Sequence, residues 1–329
     1  MAANSALNPT LLDVAKRTDP NGKIDVITEM LAETNEWMLD ASAVEANDGT
    51  GHKTTVRSGI PAGTWRKLNY GVMPEKSTTV QVRDGCGMLE SYAEVDVDLA
   101  NLNGNSAAFR LSEDRAFIEG MGQTASDTLF LGDTDVDPER FMGLGPRFDS
   151  LSAENGGNII NGGGNTGNTS IWLVGWSPMA CHLIYPKGSK AGLSHKDLGQ
   201  VTKTHAGGEL SEVLRTHYKW DIGLTVRDWR YVVRIANIKV ADLVKNAASG
   251  ADLVDLMMQA TELPPGNGAG MRFSFLCNRT VRSVLRRQIT NRANVNLTFD
   301  TVAGKRVLAF DEIPVRRCDS ILNTEAAIS

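Results

Sequence analysis

The stretch Gly51-His52-Lys53-Thr54-Thr55-Val56-Arg57, continuing through Ile60-Pro61 and Trp65-Arg66-Lys67-Leu68-Asn69, governs the reading of the whole chain. Its β-branched run returns as Thr78-Thr79-Val80 with Val82, and Pro61, Gly63, Gly71 and Pro74 punctuate the interval. β-Branched side chains suit a pleated backbone and Gly and Pro suit turns, so residues 52–98 predict a long, irregular β-hairpin. Its charge is lopsided. Lys53, Arg57, Arg66, Lys67, Lys76 and Arg83 are opposed by Glu75, whereas the segment that follows carries Glu90, Glu94, Asp96 and Asp98.

Upstream, residues 1–23 are polar with Pro9 and Pro20, and read as an arm. Ile24, Ile27, Leu31 and Met38 fall near helical spacing and predict a helix from Ile24 to about Ala46, stopped by Asn47-Asp48-Gly49. Downstream, Ser112 has the form of an N-cap, with Glu113 and Asp114 where the helix dipole favours anions. Phe117, Met121, Ala125 and Thr128 share a face, so the helix should run to Leu131 and stop at Gly132. At about 1.5 Å per residue it would be about 28 Å long. Asn155 to Ser170 is dense in Gly and Asn and reads as a loop. Ile171–Trp176 and Cys181–Tyr185 read as paired strands around Ser177-Pro178, and Asp228–Val240 is strand-like. Asp252–Ala260 and Arg279–Thr290 read as helices, the second with Val281, Val284, Leu285 and Ile289 on one face. Arg306–Phe310 and Ile313–Arg317 would be late strands. The class is α+β, without the regular strand–helix alternation of a doubly wound sheet.

With 329 residues, 41% hydrophobic and 22% charged, the chain can bury a core, which argues against wholesale disorder. A net charge of −5 argues against tight, non-specific phosphate binding by the surface as a whole. Cys86, Cys181, Cys277 and Cys318 form no CxxC pair, a spacing that suits idle thiols better than a disulfide framework or a zinc site. No signal peptide is visible at the start, and the most apolar stretch, Ile171 to Tyr185, is broken by Ser177, Pro178 and His182, so no membrane span is expected.

The motifs that promise chemistry fail on context. Gly162, Gly164 and Gly167 satisfy GxGxxG, but Asn168 stands where a phosphate-binding loop needs lysine, and a strand follows where a helix should. Asp133, Asp135 and Asp137 alternate like a calcium loop, but Pro138 replaces the glycine of the turn and Leu144 the bidentate glutamate. Ser194-His195-Lys196-Asp197 are neighbours in sequence and do not converge as a catalytic triad does. His52, His182, His205 and His217 have no metal-ligand spacing. Arg279, Arg282 and Arg286 share a helix face and suit ion pairs, local or between subunits, better than nucleic acid. The tryptophans suit packing or interfaces better than ligand stacking. Neither catalytic residue, cofactor nor metal is expected.

The opening stretch resembles a family of tailed-phage major capsid proteins. So do Gly87-Met88-Leu89-Glu90, Gly104-Asn105-Ser106-Ala107-Ala108-Phe109-Arg110, Phe141-Met142-Gly143-Leu144 and Tyr185-Pro186-Lys187-Gly188-Ser189-Lys190-Ala191-Gly192-Leu193. Asp228-Trp229-Arg230-Tyr231-Val232-Val233-Arg234-Ile235-Ala236-Asn237 and the closing Ile313-Pro314-Val315-Arg316-Arg317 complete a series spanning nearly the whole chain. The resemblance implies the Hong Kong-97-type capsid fold. On this chain it implies an N-terminal arm and helix at 1–51 and an extended β-hairpin loop at 52–98. A spine helix with part of a peripheral domain would occupy 99–150, and 151–329 would be mainly an axial domain with returning peripheral strands. It implies a structural protein that self-assembles into the pentamers and hexamers of an icosahedral shell. That shell would enclose phage double-stranded DNA without sequence-specific binding. Such a subunit would be assembled in the host bacterial cytoplasm and reside in the virion, with portal, scaffold or decoration proteins as further partners. The charge split then predicts that Arg57, Arg66, Lys67 and Lys76 reach a neighbour's acidic residues, Glu90, Glu94 and Asp96 or Asp133 and Asp135. No covalent cross-link is expected, since nothing selects a lysine–asparagine pair. An encapsulin-like cellular compartment shell, a virion-associated enzyme and a minor tail or decoration protein remain as alternatives.

Overall fold

The computed structural model describes residues 33–101, 106–205, 207–245, 252–266, 270–291, 297–302 and 305–329. In chain order come β1 (Ala43–Glu45), β2 (Gly51–Gly59), β3 (Thr78–Asp96), α1 (Ser106–Leu131), β4 (Ile159–Asn161), β5 (Asn168–Trp176), β6 (Cys181–Tyr185), β7 (Ser194–Thr204) and β8 (Leu210–Val226). They are followed by β9 (Val232–Lys239), α2 (Val240–Lys245), α3 (Leu253–Glu262), β10 (Arg272–Cys277), α4 (Arg279–Asn291), β11 (Leu297–Val302), β12 (Lys305–Phe310) and β13 (Ile313–Arg317). One hydrogen-bonded path joins β11-β12-β13-β10-β5-β6-β8-β3-β2.

β5 is the middle of the core. Every residue from Asn168 to Trp176 is buried, because helices and turns cover both faces of the strand. Ile171 and Leu173 point to one side, where they meet Met257 of α3, Val281, Val284 and Leu285 of α4, and Phe275. Trp172, Val174 and Trp176 point to the other, against Leu129 and Phe130 of α1, Phe148 and Trp37. Each such aliphatic side chain contributes about 1.5–3 kcal/mol by leaving water.

α1 keeps the predicted face, with Met121, Ala125 and Thr128 buried, but starts six residues before Ser112. Ala107, Ala108, Arg110 and Leu111 are good helix formers, so nothing in that turn obliges the helix to begin later. Its end falls at Gly132 as predicted, and the returning segment caps it: Gly143 N–H donates to the Gly132 carbonyl (2.8 Å), Leu144 to Leu129 (2.8 Å) and Gly145 to Phe130 (2.9 Å).

Other expectations need correction. Of the predicted helix 24–46, residues 24–32, like the arm at 1–23, lie outside the described residues, as does Gly104-Asn105. From residue 33 the chain holds a single 3₁₀ turn, Glu36–Leu39, and then β1, which lies parallel to β6. Tertiary contacts override helical spacing here. Trp37 is fully buried with its indole N–H on Ser126 Oγ (2.9 Å), Asp40 pairs with Arg316 (2.6 Å) and Glu36 with Arg282 (3.4 Å). Within 155–170, β4 pairs with β9, and the Asn158 side chain donates to the Trp229, Arg230 and Val232 carbonyls. β5 and β6 form no hairpin; they touch in parallel at Trp176 and Cys181, while β5 pairs antiparallel with β9 and β10. Trp229–Tyr231 is a 3₁₀ turn, so the strand begins at Val232.

Candidate assembly surface

β2 and β3 pair antiparallel from Gly51↔Gly85 outward to Gly59↔Thr78, a hairpin that ends well short of the expected 98. At Cys86, β3 changes partner and continues along β8 to Asp96. Glycines make the exchange possible. A Cβ on Gly223 would lie 2.7 Å from the Gly85 carbonyl oxygen, and one on Gly51 would collide with the Asp84 carbonyl. The root is pinned from below by a buried ion pair between Asp84 and Arg147 (2.7 Å), whose guanidinium also donates to the Met142 and Leu224 carbonyls. Arg83 pairs with Asp48 (3.4 Å) on the outside.

Beyond Gly59 the connecting loop has almost no structure of its own to rest on. Tyr70 N–H donates to the Lys67 carbonyl (3.2 Å) and Gly63 N–H to Glu75 Oε2 (3.1 Å). Trp65 is 101% exposed, and Ile60, Leu68 and Met73 are each above 80%. An isolated exposed apolar residue is ordinary; this many together on one loop is not. Arg57, Arg66, Lys67 and Lys76 are all exposed, and none forms an ion pair among the described residues.

The acidic residues fare differently. Glu90 receives His217 (3.2 Å) and Lys219 (3.3 Å) from β8. Glu94 binds Lys203 (2.5 Å) and Arg215 (2.7 Å). Desolvation would raise the Glu94 carboxyl, but these two cations outweigh it and hold it below the usual carboxylate range. Asp96 caps the helical turn Val97–Ala100 by accepting from the Asp98 and Leu99 amides. Asp133 accepts from the Asp135 amide (2.9 Å), and Asp135 and Glu139 stand exposed on the turn after α1. Of the arginines on α4, Arg282 makes the local ion pair with Glu36.

Between α1 and β3 run two adjoining hollows that share Leu89 and Thr124. One, of about 430 Å³, has Phe117, Gly120 and Met121 in its walls. The other, of about 260 Å³, is bounded by Met88, Phe141, Glu139 and Arg140. Sequence reasoning missed this groove, because it exists only where β3 and α1, a separate segment, lie side by side. Among the described residues no group of three or more His, Cys, Asp or Glu is placed to hold a metal, and no helix is long and apolar enough to cross a membrane.

A family model described as Major capsid protein GP7 matches residues 19–329. The solved structure of bacteriophage Epsilon15 contains a chain 39% identical to this one; the alignment covers 100% of this chain and 99% of that one, with a TM-score of 0.79. The capsid of bacteriophage JBD30 aligns over 89% of this chain and 93% of its own, at 11% identity and a TM-score of 0.48. The holo-SrpI encapsulin complex from Synechococcus elongatus PCC 7942 aligns over 70% and 96%, at 12% identity and a TM-score of 0.45. No curated protein matches the chain.

Proposed function

The chain belongs to the major capsid protein GP7 family, and from that premise we propose that the hairpin is the limb by which each subunit of an icosahedral phage shell grips its neighbour. The observation that carries this reading is the loop at 60–77, apolar and basic at once, yet supported by almost nothing in its own chain. Leaving Trp65 in water is unfavourable by an amount that burial against a second copy would recover, and the positive flank made by Arg66 and Lys67 would choose the partner face. The most suitable acidic partner is the turn carrying Asp133, Asp135 and Glu139, since Glu90, Glu94 and Asp96 already have roles within their own chain. The hollow beside that turn, with Met88 and Phe141 in its wall, would offer an apolar seat for the indole.

Many weak contacts of this kind, closed by symmetry into pentamers and hexamers, suffice for a stable shell and let errors dissolve. The subunit works through its surface and without catalytic residues. Assembly in the host cytoplasm, enclosure of DNA without base recognition, and portal, scaffold or decoration proteins as further partners complete the proposal. Reversing Arg66 and Lys67 to Glu should abolish shells in electron micrographs of the purified protein while the far-ultraviolet circular dichroism of the subunit stays unchanged. An unaltered particle yield from that variant would refute the hairpin contact.

A further inference from the structure

The root of the hairpin holds a feature that packing alone does not require. His52, the second residue of β2, meets His182 of β6 edge to face, with ring centroids 5.8 Å apart. His182 is 1% exposed; the ring has a backbone hydrogen bond with Ser177, but among the described residues its Nδ1 has no partner. His52 Nδ1 accepts from the Asn47 amide (3.3 Å), which requires that nitrogen to be unprotonated. Three other buried polar atoms at this root, Thr54 Oγ1, Thr225 Oγ1 and Arg147 Nε, also lack a protein partner, and Thr225 stands opposite His182 in the β6–β8 register.

We propose that the His52–His182 contact is an acid-released fastening: protonation of the pair frees the root of β2 from β6 while the sheet around β5 stays folded. Burial sets the direction, and the charged groups around the pair act beside it. Arg227, just after β8, acts on both rings with positive charge. Asp84 faces His52 across the β2–β3 ladder, but its carboxylate is already bound by Arg147. Asp48, before β2, is taken by Arg83, and Cys181, next to His182, is a fully buried thiol. Among the described residues, none of these carboxylates is left free to receive two imidazolium ions. Burial, then the neighbouring His52 and Arg227, depress His182 from the ordinary 6.5 to about 4; burial and Arg227 likewise depress His52. A depressed histidine favours the closed root above pH 6.5 and loses that preference as pH falls towards 4. From His182 alone, the closed root should be disfavoured about tenfold at pH 5.5 relative to neutral pH.

Amide hydrogen exchange on the full-length subunit tests this, with rates corrected for the pH dependence of the chemistry. Residues 46–54 contain the Asn47 and Lys53 amides that tie the root, and their exchange should rise about tenfold between neutral pH and pH 5.5, while β5 stays protected. His182→Gln should flatten that rise. Should the buried substitution fail to fold, His52→Gln, at a partly exposed ring, should diminish it. Exchange over 46–54 that tracks β5 at every pH, or a folded variant that keeps the full response, would overturn the proposal.

Discussion

Asp84 shows how much one side chain settles at the root of the hairpin. Its carboxylate is 5% exposed and bound by Arg147, which draws the start of the hairpin onto the 3₁₀ turn Pro146–Phe148. Truncating one partner of a buried pair leaves the other charge without compensation, at about 3–5 kcal/mol. Arg147→Met should therefore lower the free energy of unfolding measured in urea by that amount, and the double change Arg147→Met with Asp84→Leu should recover much of it. If the double variant is no more stable than the single one, the pair is not the source of the loss. Arg234 makes a similar knot beside β5. It lies 4.9 Å over the Trp172 ring, donates to the Phe148 carbonyl (2.7 Å) and pairs with Glu325 (2.8 Å), which also receives Ser170 Oγ. The closing segment of the chain is thereby tied across β5.

At the scale of elements, α1 ends where backbone meets backbone. A Cβ on Gly143 would lie 2.5 Å from the Thr128 carbonyl oxygen and 2.8 Å from that of Leu129, in the middle of the capping hydrogen bonds. Gly143→Ala should cost about 1–3 kcal/mol by forcing that segment outward, visible as a lower thermal midpoint; an unchanged midpoint would mean that the cap is dispensable. The stop at Gly132 was legible because a helix end is a local event. The hairpin was legible for the same reason, since Thr54, Val56, Thr78 and Val80 carry their preference in their own side chains. β7 was not, because Ser194–Thr204 is polar and nearly all exposed, and only its pairing with β8 makes it a strand. The same limit applies to the surface. Lysines and arginines on a loop punctuated by Gly and Pro announce themselves. The occupation of Glu90 and Glu94 was hidden, because His217, Lys203 and Arg215 come from more than one hundred residues away.

For the whole molecule, an assembly guided by exposed charges should respond to salt. The screening length falls from about 10 Å at 0.1 M to about 3 Å at 1 M, so light scattering should show a slower onset of shell formation as salt rises. Shells already closed should persist, because buried apolar contacts such as that proposed for Trp65 are not screened. An onset indifferent to salt would remove charge from the account. The length of β3 carries a mechanical implication as well. Nineteen residues at about 3.3 Å each make a beam of about 63 Å that runs unbroken from the hairpin into the sheet beneath α1. A load applied at its free end acts as torque on its anchored end, and bending concentrates at Gly85, where the strand exchanges partners and a side chain would meet open space. In a shell gripped by this hairpin, as proposed above, each protomer would feel the angle at which its neighbour sits, and local curvature would be written into the twist of a single strand.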